Sequence, residues 1–215
     1  MNLHQLGAFS LQFITQKNEK YNHLEAAELA LKGGCKWIQL RMKEASLEEI
    51  EKVALQLQPL CKEAGAILII DDHVELCKKI GADGVHLGKM DMLPADARKI
   101  LGDGFLIGGT CNTFEEIQKI KDDVDYIGCG PFSFTTTKKN LAPVLGLEGY
   151  QNIIWECRSK GIQIPIVAIG GITSKDILPI LKAGPNGIAI SGTIANAEDP
   201  VKATENILKL IEKAF

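Results

Sequence analysis

The chain has 215 residues, 46% of them apolar and 24% charged, with a formal net charge of −3. That length suits one good core and is short for two, so one domain over residues 1–215 is expected. The slightly acidic balance argues against a nucleic-acid surface, and no apolar run is long enough to span a bilayer.

The N-terminus has no basic segment leading into a long apolar stretch, and the widely spaced cysteines point to a cytoplasmic location. Six cysteines, at 35, 61, 77, 111, 129 and 157, contain no Cys-x-x-Cys pair. This spacing favours buried reduced thiols over a metal or disulfide framework.

Leu11–Thr15 reads as a strand and Leu24–Lys32 as a helix ending at Gly33-Gly34. Lys36–Arg41 is a second strand. Ser46 can cap the next helix, with Glu49 completing a capping box, and Gly65 stops it. Ala66–Ile70 is continuously apolar, as a strand buried on both faces should be. Val74–Ile80 is helical, Gly84–Leu87 a strand, Pro94–Leu101 helical and Phe105–Gly109 a strand. Thr113-x-x-Glu116 opens a capped helix, and Tyr126–Cys129 is the sixth strand.

Gly130–Leu147 breaks the rhythm, and a connection of that length is usually functional. Its closure over a ligand is an expectation. Gly149–Ser159 is helical and Ile164–Ile169 a strand. Ser174–Leu181 is a helix that Pro179 is expected to kink. Gly187–Ile190 is the eighth strand and Pro200–Ala214 the closing helix. Strands alternating with helices over short links predict a parallel sheet covered by helices. Eight such units fit a (β/α)8 TIM barrel, with a doubly wound open sheet as the competing architecture.

Chemistry-bearing residues recur at the strand ends. Gln39, Arg41 and Lys43 alternate with Leu40 and Met42, so one face carries an amide and two cations. A phosphate would offset the cost of burying that charge, and so would internal carboxylates. Asp71-Asp72 ends an otherwise apolar strand, and Asp91 follows the next one. Together they could hold Mg²⁺ shared with a substrate phosphate. Alternatively one Asp caps the helix beginning near His73. Thr135-Thr136-Thr137-Lys138 offers hydroxyls and a cation, or simply a solvated loop. Gly170-Gly171 and Ser191-Gly192, after strands seven and eight, suit an oxyanion, although a tight turn also demands glycine. His86 reads as interior packing, and neither it nor His73 is assigned a chemical role.

In order and spacing, these residues resemble the thiamine phosphate synthase family over nearly the whole chain. The anchors are Gln39-Leu40-Arg41-Met42-Lys43, Asp72, Gly81-Ala82-Asp83-Gly84-Val85-His86-Leu87-Gly88 leading to Asp91, and Tyr126-Ile127-Gly128. Thr135-x-Thr137-Lys138 and Val167-Ala168-Ile169-Gly170-Gly171-Ile172 complete them. The resemblance implies a transferase that joins hydroxymethylpyrimidine pyrophosphate to a thiazole phosphate. Pyrophosphate is released by way of a pyrimidine carbocation. It implies that Gln39, Arg41 and Lys43 hold the pyrimidine pyrophosphate, with Asp71 and Thr110 also in contact with that substrate. Asp72 and Asp91 would ligate Mg²⁺, and Lys138 would add a cation to the leaving group. Thr135 and Thr137 would line the thiazole side, while Gly171, Ser191 and Gly192 would cradle the thiazole phosphate. Catalysis would fall to Arg41, Lys43, Lys138 and Thr110. The partners implied are phosphorylated small molecules, with no nucleic acid and no membrane, and a homo-oligomer is left open.

The chain departs from the family pattern in places. Asp71 stands where Asn is usual, Lys89 for Gln, Thr110 for Ser, Phe134 for Pro and Gly192 for Ser, while Met90 stands where an acidic residue is common. Pairing of Asp71 with Lys89 is expected, as it would leave the local charge unchanged. Two other readings stand beside the synthase. One is a thiazole tautomerase, a relative on the same barrel whose His after strand five is Asn112 here. The other is a non-catalytic binder of thiamine precursors.

Overall fold

A computed structural model describes residues 10–135 and 142–214. Its strands are β1 (Leu11–Ile14), β2 (Trp37–Leu40), β3 (Ile67–Asp71), β4 (Gly84–Leu87), β5 (Leu106–Cys111), β6 (Tyr126–Cys129), β7 (Ile166–Ile169) and β8 (Gly187–Ile190). The helices are α1 (His23–Lys32), α2 (Leu47–Ala64), α3 (Val74–Ile80), α4 (Pro94–Leu101), α5 (Phe114–Ile120), α6 (Gly146–Ser159), α7 (Ile177–Lys182), α8 (Gly192–Ala195) and α9 (Pro200–Glu212). All neighbouring strands pair in parallel, and β8 returns to β1 to close the barrel. The expected TIM barrel is therefore the observed one, and the open sheet is excluded.

Local signals explain most boundaries. Asn22 with Glu25, and Ser46 with Glu49, each form a reciprocal capping box at the starts of α1 and α2. Thr113 caps α5 by accepting from Glu116 N–H. Gly65 and Gly81 end α2 and α3 in the left-handed conformation that glycine adopts without steric cost. Pro179 does not interrupt α7, because the helix begins only at Ile177. The proline thus lies in the first turn, where its missing N–H has no intrahelical partner to lose.

Two helix starts carry no side-chain capping signal and were not expected where they fall. Helix α6 starts at Gly146 with no side-chain cap. Its entry is fixed instead by Leu145 N–H donating to Pro131 O and Gly146 N–H to Phe132 O, at 2.9 and 3.1 Å. The four-residue α8 was not expected, and it carries no side-chain cap either.

Alternation along the strands divides the apolar residues into two cores. Ile38, Leu40, Leu68, Ile70, Val85 and Ile127 face outward against the helices. Ile14, Trp37, Ile67, Ile69, Leu106, Tyr126, Val167 and Ala189 fill the barrel. Trp37 and Tyr126 meet edge to face, with ring centroids 4.7 Å apart. All six cysteines are buried and unpaired. Burial pushes the Cys61, Cys77, Cys111 and Cys129 thiols up to about 12. No helix among the described residues is long and apolar enough to cross a membrane.

Small residues make room for the large interior ones. A Cβ on Gly108 would lie 2.2 Å from Tyr126 Cζ and 2.4 Å from His86 Nδ1. Gly108→Ala should therefore overpack the barrel by about 1–3 kcal/mol. Thermal unfolding should show a melting temperature lower by about 3–10 °C. An unchanged melting temperature would mean that the interior is looser than this packing implies.

Candidate active site at the C-terminal mouth

The C-terminal strand ends carry the polar groups, as the barrel geometry requires. Asp71 is the last residue of β3, pairs in register with His86 and is buried. Its Oδ1 accepts from Gln39 Nε2 at 2.6 Å. Its Oδ2 lies 3.5 Å from Arg41 Nε and 3.4 Å from Lys43 Nζ. Gln39, Arg41 and Lys43, one row on β2 and its exit, thus converge on a single carboxylate. Burial pushes the Asp71 carboxyl up, against the opposing pull of Lys43, Arg41 and Gln39. Burial acts to lower the Lys43 ammonium, but Asp71 and Asp72 outweigh it and hold Lys43 above its usual value.

Lys43 also forms a short contact with Asp72 Oδ2. Asp72 is the one non-glycine residue with positive φ among the described residues, at 66°. Such a conformation is uncommon, though Asp tolerates it better than most residues. Its N–H donates to His86 O at 2.9 Å, which ties β3 to β4 at this point. Asp72 does not cap α3, whose N-cap is His73 with no side-chain bond.

Asp91 folds back over the end of β4, its Oδ2 accepting from Gly88 N–H at 2.7 Å. A Cβ on Gly88 would meet that oxygen at 2.8 Å, so glycine permits the close approach. Asp91 meets Asp72 side chain to side chain. Burial first, and then Asp72, push the Asp91 carboxyl up. Two acidic groups in contact need a shared proton or a cation between them. The two residues expected to hold Mg²⁺ are therefore brought together. Among the described residues no group of three or more potential metal ligands exists. Mg²⁺ commonly takes one or two carboxylates and completes its shell with water and substrate oxygens, so this pair fits it.

Asp71 does not pair with Lys89. The Lys89 ammonium bonds Glu116 Oε1 at 2.5 Å, while Asp71 turns inward to Arg41 and Lys43. Lys89 leaves the strand end on a loop leading away from the interior face, so charge balance alone misjudged its direction. Glu116 also accepts from Asn112 N–H at 2.6 Å, and Asn112 Nδ2 donates to Gly130 O. Asn112 thereby ties the exits of β5 and β6 together.

On the far side of the mouth, the loop after β6 lies against the end of β7. Phe132 N–H donates to Ile169 O, Ser133 N–H to Gly170 O, and Ser133 Oγ to Gly171 O at 2.7 Å. Gly170 and Gly171 have φ of 97° and 66°, so the tight-turn reading holds for both. A Cβ on Gly171 would lie 2.3 Å from Ser133 Oγ. Ser191 Oγ bonds Gln16 Oε1 at 3.0 Å, and Gly192 opens α8. Thr135 is half-buried in this loop. Thr137 and Lys138 lie outside the described residues, as does the middle third of the segment expected to close.

A row of polar groups inside the barrel was not read from the sequence as a connected unit. Gln12, Tyr126 and His86 are buried, and they run from β1 through β6 and β4 to Thr110 on β5. Their signal was present: Gln12 and His86 are polar residues at inward positions of otherwise apolar strands.

The family model described as thiamine monophosphate synthase matches residues 11–194. A thiamine-phosphate synthase of Bacteroides fragilis is 61% identical over 202 residues, covering 94% of this chain and 99% of the relative. One from Bacteroides thetaiotaomicron is also 61% identical over 202 residues, covering 94% and 97%. A solved thiamine phosphate pyrophosphorylase from Pyrococcus furiosus superposes with a TM-score of 0.87 at 33% identity, over 98% of this chain and 99% of that one. An orotidine 5′-phosphate decarboxylase from Pyrococcus horikoshii, at 15% identity and a TM-score of 0.67 over 94% of this chain and 99% of that one, shares the barrel alone. With a match spanning most of its length and relatives at this identity, the chain belongs to the thiamine monophosphate synthase family.

Proposed function

We propose that this chain is a cytoplasmic thiamine-phosphate synthase. It joins hydroxymethylpyrimidine pyrophosphate to hydroxyethylthiazole phosphate and releases pyrophosphate. The observation that carries this reading is the cluster of Arg41, Lys43, Asp71, Asp72 and Asp91 at one mouth of the barrel. Family membership supplies the substrates.

The reaction breaks the bond between the pyrimidine methylene and the pyrophosphate oxygen. The electron pair leaves with the pyrophosphate, and the methylene carbon is left as a pyrimidine-stabilised cation. The thiazole ring nitrogen then donates its lone pair to that carbon. No proton needs to move, so the demand falls on stabilising the leaving group and aligning the two substrates. Arg41 and Lys43 meet the charge of the pyrophosphate, and Gln39 orients the pyrimidine end. Asp72 and Asp91 would hold Mg²⁺, which when bound supplies charge neutralisation on the leaving group. Lys138 adds a further cation, and Thr110 a hydroxyl. Thr135 and Thr137 line the thiazole side. Gly171, Ser191 and Gly192 carry the thiazole phosphate, with Ser191 already oriented by Gln16.

Pyrophosphate release should require both substrates together and should stop on addition of EDTA. Asp72→Asn and Asp91→Asn each remove a unit charge beside a dication. Each should raise the Mg²⁺ needed for half-maximal rate by about tenfold or more. Release that persists in EDTA would rule out the metal role. Ligand binding without turnover would instead favour a non-catalytic binder.

Asp71 competes with pyrophosphate for Arg41 and Lys43. Asp71→Asn should lower the KM for the pyrimidine substrate by about 3- to 10-fold through the lost repulsion. Because Lys89 is engaged elsewhere, Asp71→Asn and Lys89→Gln should be additive within about 0.5 kcal/mol in a double-mutant cycle. A larger coupling would restore the pairing that the geometry overturns.

A further inference from the structure

We propose that Gln12, Tyr126 and His86 are positioning residues that hold the Thr110 hydroxyl as a hydrogen-bond donor toward the departing pyrophosphate. This rests on the synthase reading above. Gln12 Nε2 donates to Tyr126 Oη at 3.2 Å. Tyr126 Oη lies 3.1 Å from His86 Nδ1, and His86 Nε2 lies 3.0 Å from Thr110 Oγ1. The row crosses four strands, starting in the dry core at Gln12, 2% exposed, and ending at the half-buried Thr110 near the exit of β5.

Gln12 fixes the first bond, and each later hydrogen is assigned outward from it. An amide NH2 can only donate, so the Tyr126 oxygen is engaged as acceptor. Burial pushes the Tyr126 phenol above its ordinary range, so it keeps its proton. That proton goes to His86 Nδ1. A neutral imidazole accepting at Nδ1 carries its own hydrogen on Nε2. Nε2–H therefore donates to Thr110 Oγ1, and the threonine hydrogen is directed onward to the mouth. A pyrophosphate offers only acceptors, and its leaving oxygen gains charge as the carbon–oxygen bond breaks. A donor oriented beforehand stabilises that charge without reorganising.

The fold sets space aside for this row. A Cβ on Gly108 would lie 2.4 Å from both His86 Nδ1 and Tyr126 Oη, and one on Gly128 would lie 3.0 Å from His86 Cε1. The His86 and Tyr126 rings sit 5.5 Å apart in the slot so formed. Apolar side chains could fill the same volume without burying an amide, a phenol and an imidazole. The polar row is retained where its last member reaches the mouth.

Nitrogen-15 NMR should show His86 as the Nε2–H tautomer in the wild type and as a mixture in Tyr126→Phe. Thr110→Val should lower kcat/KM about 10- to 100-fold, mostly in kcat, as expected for a lost hydrogen bond to a charged group. Tyr126→Phe should lower it about 3- to 10-fold, and the double variant should be no worse than Thr110→Val alone. His86→Gln, which can still donate to Thr110, should retain more activity than His86→Leu at equal thermal stability. An Nδ1–H tautomer in the wild type, or multiplicative losses in the double variant, would overturn the proposal. A wild type that forms no thiamine phosphate would sink the synthase reading instead. The tautomer and the affinity for inorganic pyrophosphate with Mg²⁺ then decide the row alone. It stands if Thr110→Val weakens that affinity and falls if the affinity is unchanged.

Discussion

A single buried carboxylate organises the mouth of this barrel. Asp71 ends β3 beneath the surface, where an isolated charge would be costly. Gln39, Arg41 and Lys43 meet it from the neighbouring strand, and Lys43 extends the contact to Asp72. Two cations thus face three carboxylates once Asp91 joins through Asp72. That balance is poor for holding a diphosphate unaided. A divalent cation on Asp72 and Asp91, or the lysine of the loop after β6, would be needed to reverse it. The charge balance and the contact between the two carboxylates are separate arguments for the Mg²⁺ proposed there.

The interior below is graded. Trp37, Ile67, Ile69, Leu106 and Val167 make an apolar floor broken by Gln12 and the Tyr126 hydroxyl, and charged groups enter only toward the C-terminal strand ends. Strand register fixes that gradient: Gln39 lies beside Ile69, and Asp71 beside His86. A shift by one residue would turn Asp71 out against the helices and Ile70 inward. The apolar floor therefore does more than stabilise the barrel. It fixes the depth at which Asp71 is buried, and hence how firmly Arg41 and Lys43 are held before any ligand arrives.

Much of this was legible in the chain. Apolar runs gave all eight strands, and the cap signals at Ser46 and Thr113 gave the starts of α2 and α5. The placement of Asp72 beside Asp91 was readable, because both follow adjacent parallel strands. Other features left weaker traces. Helix α6 begins early because backbone bonds from a distant loop fix its first turn, and no capping residue marks it. The supposed Asp71–Lys89 pair failed because sequence gives the order of residues along a strand exit and not their radial direction. His86 was read correctly as interior. Its partners, Tyr126 and Thr110, come from strands that only closure of the sheet brings together.

The contacts that hold the mouth together also bear on how it works. Lys43 cannot serve a pyrophosphate and both carboxylates equally, so ligand entry must exchange some of its contacts with Asp71 and Asp72. A cation placed between Asp72 and Asp91 would favour that exchange, since it takes over the carboxylates that Lys43 leaves. Metal and pyrophosphate binding would then be coupled through one ammonium, and by linkage each would strengthen the other. Asp71 has no such substitute. It lies 3.5 Å from Arg41 Nε, so its charge would oppose an anionic ligand while its position orients the guanidinium. Asn at this position would relieve the first effect and weaken the second, and the departure from the family pattern moves the chain along that trade.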